Sequence, residues 1–327
     1  MSDELKELLV VDEPRHEMVQ DTFAEYARFP AINNSSIKLF DTSRGGAPAK
    51  AYSYITGAID GRAKEEADEV EEVDEEDIQE VSEALKFGTL YHTYILERDK
   101  FADSVAILDK EKEDQLFKLA LAQKSRAKKF SKALKIYKDW KAQHEREGRT
   151  VVDRYTMKKL QDMAAAIEGN EDVAPVFTHE YRSEVSAYFG IAMGDDKWLQ
   201  CKARIDMLPL EGYTVFDLKS ARSASHEKFS YAAVDFGYDL QAAFYLRALN
   251  AHDCNVGDYS FVVQEKDDPY LCARFDMPRD WLGFADHEID SILTRMKTCI
   301  RGGKWPGYRS GELIPPSFYQ SIIDQCG

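Results

Sequence analysis

The stretch RIDMLPLEGYTVFDLKSA, residues 204–221, decides the fold of this chain. Two runs of β-branched and aromatic residues surround the turn signal Glu-Gly at 211–212, a pattern typical of consecutive antiparallel strands. Asp206 lies in the first run, and Asp217 and Lys219 lie in the second. Because side chains alternate along a strand, Asp217 and Lys219 point to one face, and the returning chain brings Asp206 beside them. The pattern predicts that two carboxylates and an ammonium converge.

These three side chains have the chemistry needed to hydrolyse a phosphodiester bond. The carboxylates of Asp206 and Asp217 and the backbone carbonyl of Leu218 are the hard oxygen ligands that Mg²⁺ prefers, and Mn²⁺ could substitute for it. A bound metal would lower the pKa of a water molecule, while Lys219 would orient that water or stabilise charge on the phosphate. The alternative is a surface strand with an ordinary ion pair, because short D-x-K patterns also occur by chance.

The flanking sequence predicts a mixed α/β fold. The run EYRSEVSAYFG, residues 180–190, precedes this stretch as a further strand, and a strand pair is expected around the turn at 267–269. Apolar spacing predicts helices over about 236–251 and 278–301. A further helix from about residue 83 carries an apolar stripe and leaves His92 on another face. The stripe consists of Phe87, Leu90, Tyr91, Tyr94 and Ile95.

Charge is segregated along the chain, whose formal net charge is −16. Residues 65–83 contain twelve acidic and no basic residues, whereas residues 110–149 contain thirteen Lys and Arg against six acidic residues. The acidic run is interpreted as a solvated, flexible segment or, alternatively, as a DNA mimic that shields a basic groove. The basic segment is predicted to form amphipathic helices whose charged face is either simply solvated or tracks phosphates.

Composition excludes several classes of protein. With 44% hydrophobic and 31% charged residues, the chain has ordinary globular usage, unlike a disordered or collagen-like protein. Five cysteines without a C-x-x-C pair argue against a disulfide framework, a zinc knuckle and an iron–sulfur cluster. The N-terminus is charged throughout, and no apolar stretch is long enough to span a membrane. We therefore expect a cytoplasmic protein that does not contact membranes.

Six short pieces of the sequence resemble one known family. They are NNSSIKLF (33–40), FGTLYHTYILE (87–97), SEVSAYF (183–189), the stretch from KARIDMLP to DLKSA (202–221), DLQAAFYLRAL (239–249) and WPGY (305–308). Together they resemble the PD-(D/E)XK nucleases and, among these, the exodeoxyribonuclease VIII type of phages and prophages. Ile205 stands where the family name leads one to expect proline, a departure that leaves the neighbouring acid in place.

The resemblance implies a PD-(D/E)XK core, in which helices flank a central mixed β-sheet and an N-terminal helical part precedes it. Asp206, Asp217 and Lys219 would be the catalytic residues. His92 and Glu184 would join the two aspartates and the Leu218 carbonyl at the metal. Residues 1–82 are expected to form an N-terminal arm or helix with an acidic linker, flexible over 64–83, and residues 83–327 the nuclease domain with its basic segment 110–149. A second flexible linker is expected at about 44–50.

Six residues are predicted to contact DNA. The resemblance implies that the Gln-x-x-x-Tyr helix lines the nucleic acid. Strand alternation places two basic residues on the same side as Asp206, where they reach a phosphate or pair with the carboxylates. Two further polar residues lie within three positions after Lys219. The six are Gln241 and Tyr245, Lys202 and Arg204, and Ser220 and Arg222.

The resemblance implies a Mg²⁺-dependent, ATP-independent exonuclease that degrades double-stranded DNA from its ends. Digestion would run 5′ to 3′ and leave 3′ single-stranded tails for a strand-annealing recombinase, and ring-shaped homo-oligomers occur in the family. No G-x-x-x-x-G-K-[ST] loop is present, so no helicase is expected. A phage-encoded protein would act in the cytoplasm of its bacterial host. The alternatives are a PD-(D/E)XK endonuclease of restriction or repair type and a catalytically inactive DNA-binding or decoy protein.

Overall fold

The structure is a computed structural model that describes residues 2–59, 75–123, 125–312, 315 and 324. The strands within these ranges are β1 (Val10–Val11), β2 (Glu17–Val19), β3 (Val105–Leu108), β4 (Thr150–Asp153), β5 (Tyr181–Gly194), β6 (Lys197–Pro209), β7 (Thr214–Ala221), β8 (Asp258–Glu265) and β9 (Cys272–Asp276). The helices are α1 (Ser2–Leu9), α2 (Phe23–Arg28), α3 (Asn34–Phe40), α4 (Pro48–Ile59), α5 (Glu75–Leu96), α6 (Arg98–Ser104), α7 (Lys110–Ala122), α8 (Lys135–Arg146), α9 (Arg154–Glu168), α10 (His226–Asp235), α11 (Tyr238–Ala251) and α12 (Arg279–Gly302).

A mixed sheet forms the centre of the protein. Its strand order is β2-β5-β6-β7-β8-β9, and β1 pairs with β6. Strands β5, β6 and β7 are antiparallel neighbours, β7 and β8 are parallel, and β9 returns antiparallel to β8. The predicted fold class, a central mixed sheet flanked by helices, is therefore confirmed. The parallel β7–β8 pair requires a long crossover, which α10 and α11 provide.

Two apolar cores cover the sheet. The larger contains buried side chains of α3, α11 and α12, such as Ile37, Phe244 and Ile289, packed with sheet residues. The second contains Tyr91 of α5 and Leu160 of α9, together with residues of β6, β7 and β8. Each fully buried large side chain of this kind stabilises the fold by roughly 2 kcal/mol. The cores thereby fix α5 and α11, which carry predicted site residues, against β6 and β7.

The N-terminal segment belongs to the sheet. Strand β1 pairs with β6 through Val10 and Leu199, and β2 pairs with β5 through Met18 and Ala187. These strands have only two and three residues, so they carry no periodic signal and depend on their tertiary partners.

The expectation of a flexible linker at about 44–50 is wrong. Thr42–Arg44 forms a 3₁₀ turn and α4 begins at Pro48. Arg44 donates hydrogen bonds of 2.6 and 2.9 Å to Asp239 and one of 2.6 Å to Glu288. Gly45, at φ +80°, turns the chain at this point, and the ion pairs of Arg44 attach that turn to α11 and α12.

A small module between α6 and α9 contains the basic segment. Strands β3 and β4 are parallel, and α7 and α8 connect them. Leu108, Leu116 and Tyr137 form its separate apolar cluster. Helix α9 follows β4 directly, and its first turn is capped by Asp153, which accepts a hydrogen bond of 2.9 Å from the Thr156 amide.

Residues 65–74 of the acidic run lie outside the described residues, and residues 75–83 belong to α5. Within the described part of the chain, no helix combines the length and the apolar character needed to cross a membrane.

Candidate metal and catalytic site

The predicted catalytic residues lie together on β6 and β7. These strands pair through Met207 and Phe216, which places Asp206 beside the second half of β7. The Leu218 amide donates a hydrogen bond of 3.0 Å to Asp206 Oδ2. The Lys219 ammonium lies 3.0 Å from Asp217 Oδ1, as strand alternation predicts. Leu218 contacts Asp206 through its backbone amide. The role of the Leu218 carbonyl as a metal ligand therefore stays a prediction.

A three-residue group at this position could hold a metal ion. His92 Nδ1 of α5 lies 3.6 Å from Asp206 Oδ2 and 3.7 Å from Glu184 Oε1 of β5. One ligand atom from each residue lies within 4.8 Å of the other two. Two carboxylate oxygens and an imidazole nitrogen suit a divalent cation.

Asp217 lies next to this group and is fully buried. Its Oδ2 accepts hydrogen bonds of 2.7 Å from Gln241 Nε2 and 2.9 Å from the Tyr259 hydroxyl. Its Oδ1 has no hydrogen-bond donor among the described residues, although the Lys219 ammonium is near. The ion pair with Lys219 balances the charge of this oxygen. The fit to a bound cation therefore rests on the donor set of the three-residue group, whose Asp206 is close enough to Asp217 to be affected by its charge.

The electrostatics of the site arise from charges crowded away from water. Burial lowers the pKa of His92, but the charges of Asp206 and Glu184 outweigh burial and raise it to about 9. Burial and the charge of Asp217 raise the pKa of Asp206 to about 8. Burial also acts to raise the pKa of Glu184, but the neighbouring His92 imidazole and the charge and hydrogen bond of Arg204 lower it to about 2. A divalent cation would compete with protons for His92 and Asp206.

Glu184 has an unusual backbone conformation. Its φ is +51° although it lies inside β5. The register is continuous on both sides, with Ser183 opposite Met207 and Val185 opposite Ile205, so Glu184 lies across from Asp206. A positive φ strains a residue with a Cβ by about 1 kcal/mol or more, and such strain often occurs at functional sites. The strained residue here is one of the three candidate metal ligands.

The residues predicted to contact DNA differ in their burial and in their hydrogen-bond partners. Gln241 and Tyr245 are each only 5% exposed, and Gln241 bonds to Asp217 and accepts a hydrogen bond of 3.2 Å from Lys219. Arg204 donates a hydrogen bond of 2.7 Å to Glu184, so it takes the second of its two predicted roles. Ser220 is half-buried and Arg222 is exposed.

Lys202 is not brought to the metal group. It is 3% exposed, and its ammonium donates to the carbonyl oxygens of Tyr26, Ala27 and Phe29 at 2.6, 3.1 and 2.9 Å. These carbonyls belong to the last turn of α2 and the residue after it, where few backbone donors remain to pair with them. Strand alternation gave the correct face for Lys202 but could not reveal that α2 covers it.

Tyr259 is a site residue that the sequence does not indicate. It lies in β8, which pairs parallel with β7 so that Tyr259 is opposite Val215. Its hydroxyl reaches Asp217 from this neighbouring strand. The two residues are 42 positions apart, and no local pattern links them. Only knowledge of the β7–β8 pairing could have predicted the contact.

Comparisons with known proteins give the family and the fold of the chain. Residues 59–313 match the family described as a PDDEXK-like domain of unknown function (DUF3799). None of the curated proteins matches the chain. A crystal structure from Eubacterium rectale, of a protein provisionally classed as an exonuclease, is similar with a TM-score of 0.51 and 14% identity over 93% of this chain and 98% of that one. This likeness shows a shared fold.

An alkaline exonuclease from Laribacter hongkongensis matches with 9% identity over 70% of this chain and 100% of that one, at a TM-score of 0.26. The family match covers most of the chain and includes His92, Glu184, Asp206, Asp217 and Lys219. It confirms the PD-(D/E)XK resemblance and, with the grouped acids and lysine, supports a nuclease. The chain belongs to the family of PDDEXK-like domains.

Proposed function

We propose that this protein is a Mg²⁺-dependent, ATP-independent exonuclease of the exodeoxyribonuclease VIII type, which degrades double-stranded DNA from its ends in the 5′-to-3′ direction. The observation that carries the proposal is the metal-ligand group of His92, Glu184 and Asp206 beside the Asp217–Lys219 pair. On the sequence resemblance, the product is duplex DNA with 3′ single-stranded tails. A strand-annealing recombinase is the proposed partner, a ring-shaped homo-oligomer the proposed assembly, and the bacterial cytoplasm the proposed location.

The chain's own residues support hydrolysis at a phosphate. His92, Glu184 and Asp206 would hold Mg²⁺ or Mn²⁺, and the buried Asp217 would complete the negative charge around it. A bound divalent cation supplies charge stabilisation at the phosphate and a water of lowered pKa. Gln241 and Tyr259 hold the Asp217 carboxylate through two hydrogen bonds.

Lys219 supplies the positive charge of the site. Its ammonium lies between Asp217 Oδ1 and Gln241 Oε1, at 3.0 and 3.2 Å. A positioned ammonium can donate to the attacking water or to a phosphate oxygen as negative charge develops. Because Gln241 bonds to both Lys219 and Asp217, it fixes the direction in which each presents its charge.

A basic surface supports a polyanionic substrate. Six cations of α7, α8 and their connection are exposed, and none has a carboxylate partner among the described residues. They are Lys118, Arg126, Lys128, Lys129, Lys135 and Lys138. In a chain with a net charge of −16, such a local concentration of unpaired positive charge favours contact with phosphates. We call these six residues the basic surface.

The test uses DNA of defined topology. Purified protein is incubated with Mg²⁺, Mn²⁺ or Ca²⁺ and with linear duplexes labelled at the 5′ or the 3′ ends or with closed circular duplex, and Lys219→Ala is assayed in parallel. We expect loss of nucleotides from the 5′ ends of linear DNA, intact circles, and dependence on both Mg²⁺ and Lys219. Cleavage of circles would instead indicate an endonuclease. Binding without cleavage of either substrate would indicate an inactive DNA-binding protein.

A further inference from the structure

The N-terminal segment contacts residues that neighbour the metal-ligand group, although it precedes the matched family region, residues 59–313. Strand β2 places Val19 opposite Ser186 of β5. The Gln20 amide group donates a hydrogen bond of 2.8 Å to the carbonyl of Ser183. These contacts fix the next residue, Asp21, against β5 and β6. Glu184 lies directly after Ser183, so the segment ends beside a candidate metal ligand.

Asp21 is tied to β5 and β6 by several polar contacts. Its carboxylate accepts hydrogen bonds from the hydroxyls of Ser186 and Tyr188. The Arg204 Nη1 group lies 3.3 Å from Asp21 Oδ1 and 3.2 Å from the Asp21 backbone carbonyl, and it also donates 3.1 Å to Ser186 Oγ. The side chains of Asp21 and Arg204 are only 11% and 14% exposed. Solvent therefore screens this contact poorly.

Arg204 links Asp21 to Glu184. Its Nε donates 2.7 Å to Glu184 Oε2, while the other carboxylate oxygen, Oε1, faces His92 at 3.7 Å. An arginine guanidinium without other constraints frequently binds a carboxylate through two parallel hydrogen bonds, one to each carboxylate oxygen. Here Asp21 and Ser186 hold the guanidinium through Nη1, in an orientation in which Nε donates to Oε2 of Glu184. One oxygen of Glu184 is thereby left for the metal-ligand group.

We propose that Asp21 is a positioning residue, which holds Arg204 in the orientation that leaves Glu184 Oε1 available to a divalent cation. The inference rests on the proposed function, since it takes Glu184 to be a metal ligand. In this proposal, the N-terminal segment helps to position a ligand of the metal site. A purely structural Asp21 would attach the segment to the sheet without affecting metal affinity.

The experiment measures Mn²⁺ binding by calorimetry in the absence of DNA. The variants are Asp21→Asn, Arg204→Lys and the double variant, with thermal unfolding recorded for each. We expect each single variant to weaken Mn²⁺ binding about tenfold, the size typical of residues that orient metal ligands. Because Asp21 acts through Arg204, the double variant should bind no more weakly than Arg204→Lys alone. Raised Mn²⁺ concentration should restore DNA cleavage.

The matched control is Asp12→Asn, which removes another carboxylate of the same segment. Asp12 is 85% exposed and pairs with Lys197, so its removal should leave the Mn²⁺ affinity unchanged. Should Asp21→Asn not fold, Ser186→Ala removes the hydroxyl shared by Asp21 and Arg204, and it should weaken Mn²⁺ binding in the same direction.

Two results would overturn the inference while the proposed function stands. One is a Kd for Mn²⁺ within about twofold of wild type in Asp21→Asn, or in Ser186→Ala where that variant replaces it. The other is a loss of Mn²⁺ binding free energy in the double variant that equals the sum of the losses in the two single variants. A wild-type protein that binds no Mn²⁺ would instead overturn the proposed metal site, and the inference with it.

Discussion

The phenolic hydroxyl of Tyr259 donates a hydrogen bond of 2.9 Å to Oδ2 of Asp217 and so joins β8 to the buried carboxylate of the site. Burial and the charge of Asp217 raise the pKa of Tyr259 well above its usual value. The phenol therefore keeps its proton, and remains a donor, over the whole neutral and moderately alkaline range.

Replacement of Tyr259 by phenylalanine should lower the rate of cleavage more than it lowers DNA affinity. Loss of one hydrogen bond to a buried charged group costs about 1.5–3 kcal/mol, so we expect kcat to fall roughly ten- to hundredfold. Single-turnover cleavage of a labelled duplex gives kcat, and binding in Ca²⁺ gives the affinity. Tyr231→Phe is the control because Tyr231 is 68% exposed. An unchanged kcat in Tyr259→Phe would remove the proposed support of Asp217.

Asp217→Asn should abolish cleavage while DNA binding survives or tightens. The substitution removes a negative charge beside the metal-ligand group, where it would stabilise the cation, and leaves less repulsion toward phosphates. Loss of such an electrostatic group costs at least about a hundredfold in kcat. Filter binding in Ca²⁺ and cleavage in Mg²⁺ measure the two effects separately. Cleavage at the wild-type rate would show that Asp217 has no part in the reaction.

If the basic surface binds phosphates, the affinity of the protein for DNA should depend strongly on the salt concentration. Each phosphate that a cation neutralises contributes about 0.9 to the slope of log affinity against log salt concentration. The triple variant Lys128→Gln, Lys129→Gln and Lys135→Gln should reduce that slope for duplex DNA by roughly two to three.

The controls for the salt experiment are cations that already have partners. Lys110 lies 3.0 Å from Asp114, and Lys141 lies 3.5 Å from Glu145. Their replacement by glutamine should change the slope much less. Equal slopes for the triple variant and wild type would show that this surface is merely solvated.

Asp153 should contribute stability that depends on pH. Burial acts to raise its pKa, but hydrogen bonds from Lys132 and Thr156 outweigh burial and lower it to about 2, from an ordinary value of 3.8. A lowered folded-state pKa means that the contribution is complete above about pH 4 and is lost as the pH falls through about 2. Asp153→Ala should cost about 1 kcal/mol at neutral pH, chiefly as a lost helix cap.

Urea unfolding between about pH 7 and pH 3 tests the role of Asp153. The difference in unfolding free energy between wild type and Asp153→Ala should shrink as the pH drops below about 4. The unfolded-state carboxylate, with its ordinary pKa of 3.8, then takes up a proton that the folded-state carboxylate, with a pKa of about 2, binds only at lower pH. The control is Asp139→Ala, which removes an exposed acid of α8. A difference that stays constant over this range would assign the effect to something other than the charge of Asp153.

Local periodicity was sufficient to predict the centre of the site. Strand alternation and one turn signal place Asp206, Asp217 and Lys219 together, and all three depend on only two adjacent strands. His92 and Glu184 come from other elements, and only the family resemblance linked them to the aspartates. The structure brings both to Asp206, with one ligand atom of each residue within 4.8 Å of the others.

Contacts between distant elements could not be predicted from the sequence. Tyr259 reaches Asp217 only because β7 and β8 are parallel neighbours. Asp21 reaches Arg204 because two very short N-terminal strands join the sheet. Lys202 points to the expected face, where the end of α2 encloses it. In each case the partner comes from an element whose position depends on tertiary packing, which no local pattern encodes.

The most direct test of the central claim is the single-turnover release of mononucleotides from a linear duplex in Mg²⁺, by wild type and by Asp206→Asn. Asp206 contacts both His92 and the Leu218 amide, so the site cannot be complete without its charge. We predict rapid release by wild type and a loss of at least about a hundredfold in Asp206→Asn, with no loss in Asp276→Asn, which alters an exposed acid of β9. Release by Asp206→Asn at the wild-type rate would contradict the assignment of this site.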